Sequence, residues 1–190
     1  MKMNLPNKLT LSRVIAIPIF IIIFYLGRNN GNIIFGYIDL YRLIAAVVFV
    51  LASITDYFDG KIARKHNLIT NFGKLMDPLA DKMIVVTALM LLCNNSEVDV
   101  ISVIIVVLRE ISISSIRLIA LEKGEVIAAS KWGKFKTASQ MVAIVLLLFN
   151  VHNINSTLNI VVYSIYYISV LFVVISLIDY AVKSRKLFIE

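Results

Sequence analysis

At 190 residues and 59% hydrophobic content, with a mean hydropathy of +0.87, the chain is more apolar than a soluble domain, whose apolar share is about 45–50%. That composition indicates an integral membrane protein and excludes an ordinary soluble enzyme or binding module. A net charge of +7 points to cytoplasmic loops and anionic lipid headgroups, while the scatter of lysines and arginines over several loop ends argues against nucleic acid as a partner.

The length accommodates about six spans of roughly 20 residues with short loops, all α-helical, which makes residues 1–190 a single membrane-embedded domain. The first span is expected over Leu9–Leu26, retained rather than cleaved, with Pro18 as a kink. The second starts near Phe35 or Ile38 and continues to Arg64, long enough to project from the bilayer. Lys65–Asn71 reads as a turn with Thr70 or Asn71 as N-cap, and the third span then reaches Cys93. Cys93 is the only cysteine, so no intrachain disulfide is possible. The fourth span, Val98–Leu121, holds Arg109, Glu110 and Arg117. A basic connection from Glu122 to Lys136 precedes a fifth span ending near Val151, and the sixth covers Leu158–Val182. Lys61, Arg64, Lys123, Lys131, Lys134, Lys136 and Lys183 share one side with the two termini, which should be cytoplasmic. Asp39, Glu97, Asp99 and His152 fall on the other side.

Across the end of the second span and the start of the third runs TDYFDGKIARKHNLITNFGKLMDPLADK, which holds Asp56, Asp59, Asp77 and Asp81, four of the twelve acidic residues. Carboxylates at the ends of apolar segments are costly unless a cation meets them. The spacings of three and four residues put each pair on one helix face. Counting about 10 Å from each pair to the turn puts the two pairs at similar depth. An all-oxygen set suits Mg²⁺ or Mn²⁺, whereas zinc would find no cysteine here and only His66. Four carboxylates are enough for two ions, and a two-metal arrangement clamps a diphosphate during displacement at phosphorus. Gly60 and Ala63 are small enough to let a flat group approach the helix backbone.

In this spacing Asp56, Asp59, Gly60, Ala63, Arg64, Gly73, Asp77 and Asp81 resemble the signature of the CDP-alcohol phosphatidyltransferases, all eight positions being present. The resemblance implies six transmembrane helices, a homodimer and a divalent-metal site in a cavity open to the cytoplasm. It also implies attack by an alcohol on the β-phosphorus of a CDP-linked lipid, with release of CMP. On the family pattern Asp56, Asp59 and Asp77 are metal ligands, and Asp81 is the base that takes the acceptor's proton and touches the second metal. Asp59, Gly60, Ala63, Arg64 and Gly73 line the cytidine diphosphate site.

Helical counting puts Arg109 and Asp81 at similar depths, about 17 Å from the outer ends of their spans. Glu110 can pair with Arg109, and Arg117, two turns nearer the cytoplasm, comes close to Lys131, Lys134 and Lys136, so an anion pocket beside the metals is expected. Such a pocket suits a phosphate-bearing alcohol better than choline, ethanolamine or serine. LPNKLTLSR, LREISISSIR and KWGKFKTASQMVAI resemble bacterial members of the family whose acceptor is glycerol 3-phosphate. That likeness implies Asn7, Thr10 and Arg13 at the nucleotide and Arg109, Arg117, Lys134 and Lys136 at the acceptor phosphate. Trp132, Tyr166 and Tyr167 read as interface anchors or packing residues.

The expected reaction joins CDP-diacylglycerol and glycerol 3-phosphate into phosphatidylglycerophosphate and CMP, in the cytoplasmic membrane and in contact with its lipids. Alternatives are another acceptor, an inositol phosphate or a phosphatidylglycerol, and in a different class a divalent-cation transporter. Against transport, all four aspartates lie toward the cytoplasmic span ends and the outer halves of spans two and three add no acidic ligand.

Overall fold

The computed structural model describes residues 5–30, 33–65, 71–122 and 131–185, with side chains described for 11–27, 33–55, 82–120 and 132–185. These residues form six α-helices: α1 (Leu5–Asn30), α2 (Leu40–Lys65), α3 (Asn71–Asn94), α4 (Val100–Glu122), α5 (Lys131–Leu148) and α6 (Ser156–Ser184). A hairpin of β1 (Ile33–Ile34) and β2 (Ile38–Asp39) precedes α2, and a 3-10 turn, Val151–Asn153, precedes α6. The chain divides into two compact units, Met1–Leu91 with Leu148–Asn150, and Leu92–Leu147 with Val151–Glu190.

In the first unit α1 turns Arg13, Ile17, Phe20 and Phe24 inward, a spacing of four, three and four residues that makes one helical stripe. Phe20 meets Phe49 of α2 with ring centroids 6.1 Å apart, and the fully buried Ala45 and Ala46 keep the α2 surface thin enough for this approach. The hairpin between them was not expected from sequence. It pairs Ile33 with Asp39 and Ile34 with Ile38 around a turn that holds Phe35 at φ 55° and Gly36 at φ 77°. Glycine adopts that backbone without strain, and Phe35 does not. The hairpin moves the start of α2 from the expected Phe35 or Ile38 to Leu40, because the Asp39 carboxylate accepts from the backbone N–H of Tyr41 (2.8 Å) and Arg42 (3.3 Å). Gly27 of α1 passes so close that a Cβ there would stand 2.8 Å from Asp39 Oδ1. The end of α5 belongs to this unit: Leu148 O accepts from Arg42 Nε at 3.1 Å, and Asn150 Nδ2 donates to Tyr37 O.

In the second unit α4 and α6 lie side by side. Ser102, Arg109 and Arg117 meet Tyr166, Ser176 and Tyr180 at 2.5, 3.0 and 2.9 Å. The partners rise in the same order on both helices, so α4 and α6 run parallel, and α5 returns the chain between them. The buried face of α6 is Val162, Tyr166, Ser169, Val173, Ser176, Tyr180 and Ser184, alternating steps of four and three residues until the last. Each of its serines donates back to a carbonyl three or four residues earlier, so small polar side chains sit inside with their hydrogens satisfied. The outward face of α4 is Ile101, Ile104, Leu108 and Ile111, all exposed, while Arg109 and Glu110 are buried. A helix that turns isoleucine out and charge in suits lipid surroundings. Among the described residues α6 is the helix long and apolar enough to cross a membrane by itself; Leu11–Gly27, Leu40–Thr55 and Lys82–Asn94 are shorter apolar stretches.

Two other expectations are corrected or fall elsewhere. Helix α5 begins at Lys131, so Lys131, Lys134 and Lys136 belong to a helix rather than to the basic connection. Most of the turn expected at Lys65–Asn71, with the Thr70 cap, lies outside the described residues. Three of the acidic loop residues have structural roles: Asp39 and Asp99 cap α2 and α4, as Asn155 caps α6, and Glu97 accepts from Asn95 Nδ2 at 2.5 Å and lies 3.8 Å from His152 Nε2.

Asp99 has a measurable consequence. Slight burial pushes its carboxyl up, but hydrogen bonds from Ser102 and from the Tyr167 hydroxyl outweigh this and hold it below the usual carboxylate value. A depressed folded-state pKa gives stability that is present above the unfolded value, about 3.9, and is lost as pH falls through the folded one. The thermal midpoint in detergent should therefore contain an acid-labile component below about pH 4 that disappears in Asp99→Asn, which still caps the helix. Asp99→Ala should lower stability at neutral pH by about 1 kcal/mol. Equal acid sensitivity in wild type and Asp99→Asn would refute this account.

Candidate active site

Arg109 and Glu110 are adjacent on α4, and both turn inward with 7% and 8% of their surface exposed. Arg109 Nη1 donates to Glu110 Oε1 at 2.8 Å, and Lys136 Nζ of α5 donates to the same oxygen at 2.5 Å. One carboxylate oxygen thus holds two cations from different helices. Arg109 Nε donates to Ser176 Oγ of α6 at 3.0 Å, so α4, α5 and α6 converge on one polar cluster. Charges this far from water are costly unless closely paired and hydrogen-bonded. Arginine and lysine held together in that setting form a ready receptor for phosphate oxygens.

Lys136 reaches the cluster because it heads the inward stripe of α5, followed by Gln140, Ala143, Ile144 and Leu147, all buried. Lys134 stands two residues away, about 200° around the helix, and is exposed. Arg117 is eight residues beyond Arg109, about 12 Å of helical rise. Its Nε donates to the Tyr180 hydroxyl at 2.9 Å, and its guanidinium carbon lies 5.6 Å from the Tyr180 ring centroid. Of the four basic residues expected at the acceptor phosphate, then, Arg109 and Lys136 come together, Arg117 sits two turns along the same helix, and Lys134 is not brought to them. Sequence reasoning placed Glu110 beside Arg109 but missed its bond to Lys136, and it missed Ser176 and Tyr180. The period of buried positions on α5 and α6 was the available signal.

Arg13, expected at the nucleotide, is buried on the inward stripe of α1. The side chains of Asn7, Thr10, Asp56, Asp59, Ala63, Arg64, Asp77 and Asp81, and the surroundings of Gly60 and Gly73, lie outside the described side chains. Their backbones are helical, Asp56 to Arg64 near the end of α2 and Gly73 to Asp81 in the first turns of α3. Among the described residues no group of three or more carboxylates, imidazoles or thiols could hold a metal ion. By residue type the four aspartates offer only oxygen donors, at sequence spacings of three and four, and oxygen donors suit a hard divalent cation. Trp132 lies 6.0 Å from Phe172, ring centre to ring centre. Tyr166 is fully buried; since Ser102 Oγ donates to Asp99 O, the Tyr166 hydroxyl is the donor to Ser102.

The family model described as CDP-alcohol phosphatidyltransferase matches residues 3–180. The chain is 44% identical over 153 residues to a Bacillus subtilis protein named CDP-diacylglycerol--glycerol-3-phosphate 3-phosphatidyltransferase, covering 80% of this chain and 78% of that one. A Rickettsia bellii protein of the same name is 44% identical over 76% of this chain and 74% of its own. A Haemophilus influenzae protein, again of that name, is 39% identical over 95% and 92%. With the signature aspartates on α2 and α3 and a match over nearly its whole length, this chain belongs to the CDP-alcohol phosphatidyltransferase family.

Proposed function

We propose that this protein transfers the phosphatidyl group of CDP-diacylglycerol to glycerol 3-phosphate, forming phosphatidylglycerophosphate and CMP. The observation that carries the choice of acceptor is the buried Arg109–Glu110–Lys136 cluster: an acceptor bearing a phosphate has use for it, and an uncharged or cationic alcohol has none. The relatives named for the same reaction support the reading.

In this scheme the acyl chains stay in the bilayer and the CDP head is held by Asn7, Thr10, Arg13, Asp59, Gly60, Ala63, Arg64 and Gly73. Asp56, Asp59, Asp77 and Asp81 hold Mg²⁺ or Mn²⁺, two ions in all. Bound there, the cations supply charge neutralisation at the diphosphate. Asp81 takes the proton of the acceptor's terminal hydroxyl. The freed oxygen bonds to the β-phosphorus, the bond from that phosphorus to the bridging oxygen breaks, and CMP leaves with the electron pair. Arg109 and Lys136, with Arg117 along the approach, hold the acceptor phosphate so that its hydroxyl points at the reacting phosphorus. The whole chain acts as one six-span domain in the cytoplasmic membrane, termini and active site on the cytoplasmic side, as a homodimer.

The test is CMP release by purified protein in detergent with CDP-diacylglycerol and Mn²⁺, with and without glycerol 3-phosphate. Release that needs glycerol 3-phosphate is expected. Release driven instead by an inositol phosphate or by phosphatidylglycerol would keep the family and change the acceptor, and no release with any acceptor would overturn the reading.

A further inference from the structure

We propose that Ser176 and Tyr180 of α6 are positioning residues for the acceptor phosphate, acting through the two arginines of α4. The proposal rests on the reading of glycerol 3-phosphate as the acceptor. Both arginines are held in the same manner: Ser176 Oγ takes the Nε–H of Arg109 at 3.0 Å, and the Tyr180 hydroxyl takes the Nε–H of Arg117 at 2.9 Å. Ser176 and Tyr180 lie one turn apart on the buried stripe of α6, so both hydroxyls come from the face that packs on α4.

The choice of a hydroxyl at both places has a chemical sense. A carboxylate at Nε would fix the guanidinium and also offset its charge, whereas a neutral acceptor fixes its rotation and adds no negative charge at that nitrogen. The Ser176 hydrogen is itself committed to the carbonyl of Val173 at 3.1 Å. Its oxygen is therefore presented to Arg109 as an acceptor. With Nε engaged, Arg117 keeps both terminal nitrogens for an anion, and Arg109 keeps one besides the nitrogen that donates to Glu110. An arginine fixed in this way loses less rotamer freedom when phosphate binds.

The experiment compares wild type with Ser176→Ala and Tyr180→Phe, reading CMP release against glycerol 3-phosphate at saturating CDP-diacylglycerol and the reverse. Inorganic phosphate is included as a competitor, and the thermal midpoint of each protein is recorded. Tyr180→Phe keeps the ring beside Arg117, and Ser176→Ala leaves no cavity of consequence on a helix. Each variant should raise the KM for glycerol 3-phosphate about tenfold, the effect of losing a hydrogen bond to a charged group, and weaken inhibition by phosphate in parallel. The kcat and the KM for CDP-diacylglycerol should stay within about twofold. Unchanged kinetics, or both KM values rising together with a lower midpoint, would overturn the positioning role. If wild type released CMP without needing glycerol 3-phosphate, the assigned reaction itself would fail, and this proposal with it.

Discussion

Asp81→Asn is expected to reduce acceptor-dependent CMP release by about a thousandfold, within the 10²–10⁴ range of general-base catalysis. Asparagine keeps the size of the side chain and its place in α3, and it cannot accept the hydroxyl proton. Asp56→Asn, Asp59→Asn and Asp77→Asn should also lose activity, but differently. As metal ligands in the proposed scheme they should raise the Mn²⁺ concentration needed for half-maximal rate, so excess Mn²⁺ restores part of their activity and restores little to Asp81→Asn. Titrating Mn²⁺ at saturating substrates separates the two roles. Retention of more than about a tenth of wild-type release by Asp81→Asn would remove it as the base, and equal rescue of all four variants by Mn²⁺ would make Asp81 a ligand only.

The parts of this protein that could be read from sequence are those fixed by local spacing. Carboxylates three or four residues apart share a helix face whatever the rest of the fold does, and the observed backbone is helical at all four aspartates. The six helices follow from apolar runs in the same local way. The hairpin at Ile33–Asp39 was hidden because its residues are apolar and run without a break into α2; only Gly36, and Asp39 as a cap, marked the boundary. The start of α5 was obscured by the lysines of KWGKFK, which look like loop when charge is counted and like helix when Lys136, Gln140 and Ile144 are taken as one buried stripe. Pairings between helices, Glu110 with Lys136 and Ser176 with Arg109, depend on tertiary packing. No spacing within one helix encodes them.

The buried cluster predicts opposite consequences for its cationic and anionic members. In Arg109→Ala, Glu110 still has Lys136 at 2.5 Å, so a paired carboxylate remains and folding should be largely preserved. The acceptor site then lacks its guanidinium, and the KM for glycerol 3-phosphate should rise between about tenfold and a hundredfold, the worth of a charge-assisted hydrogen bond. Glu110→Ala removes the oxygen that Arg109 and Lys136 share, bringing two buried like charges together without it. That change should cost about 3–5 kcal/mol and appear as a lower thermal midpoint in detergent and a poor yield of folded protein. Lys136→Ala should resemble Arg109→Ala, since Arg109 stays 2.8 Å from Glu110. The double variant Arg109→Ala/Lys136→Ala strips both of these cations from a buried carboxylate and should lose more stability than the two single changes added together. Additive losses in the double variant, or a Glu110→Ala protein as stable as wild type, would mean that the three residues do not act as one charge-sharing unit.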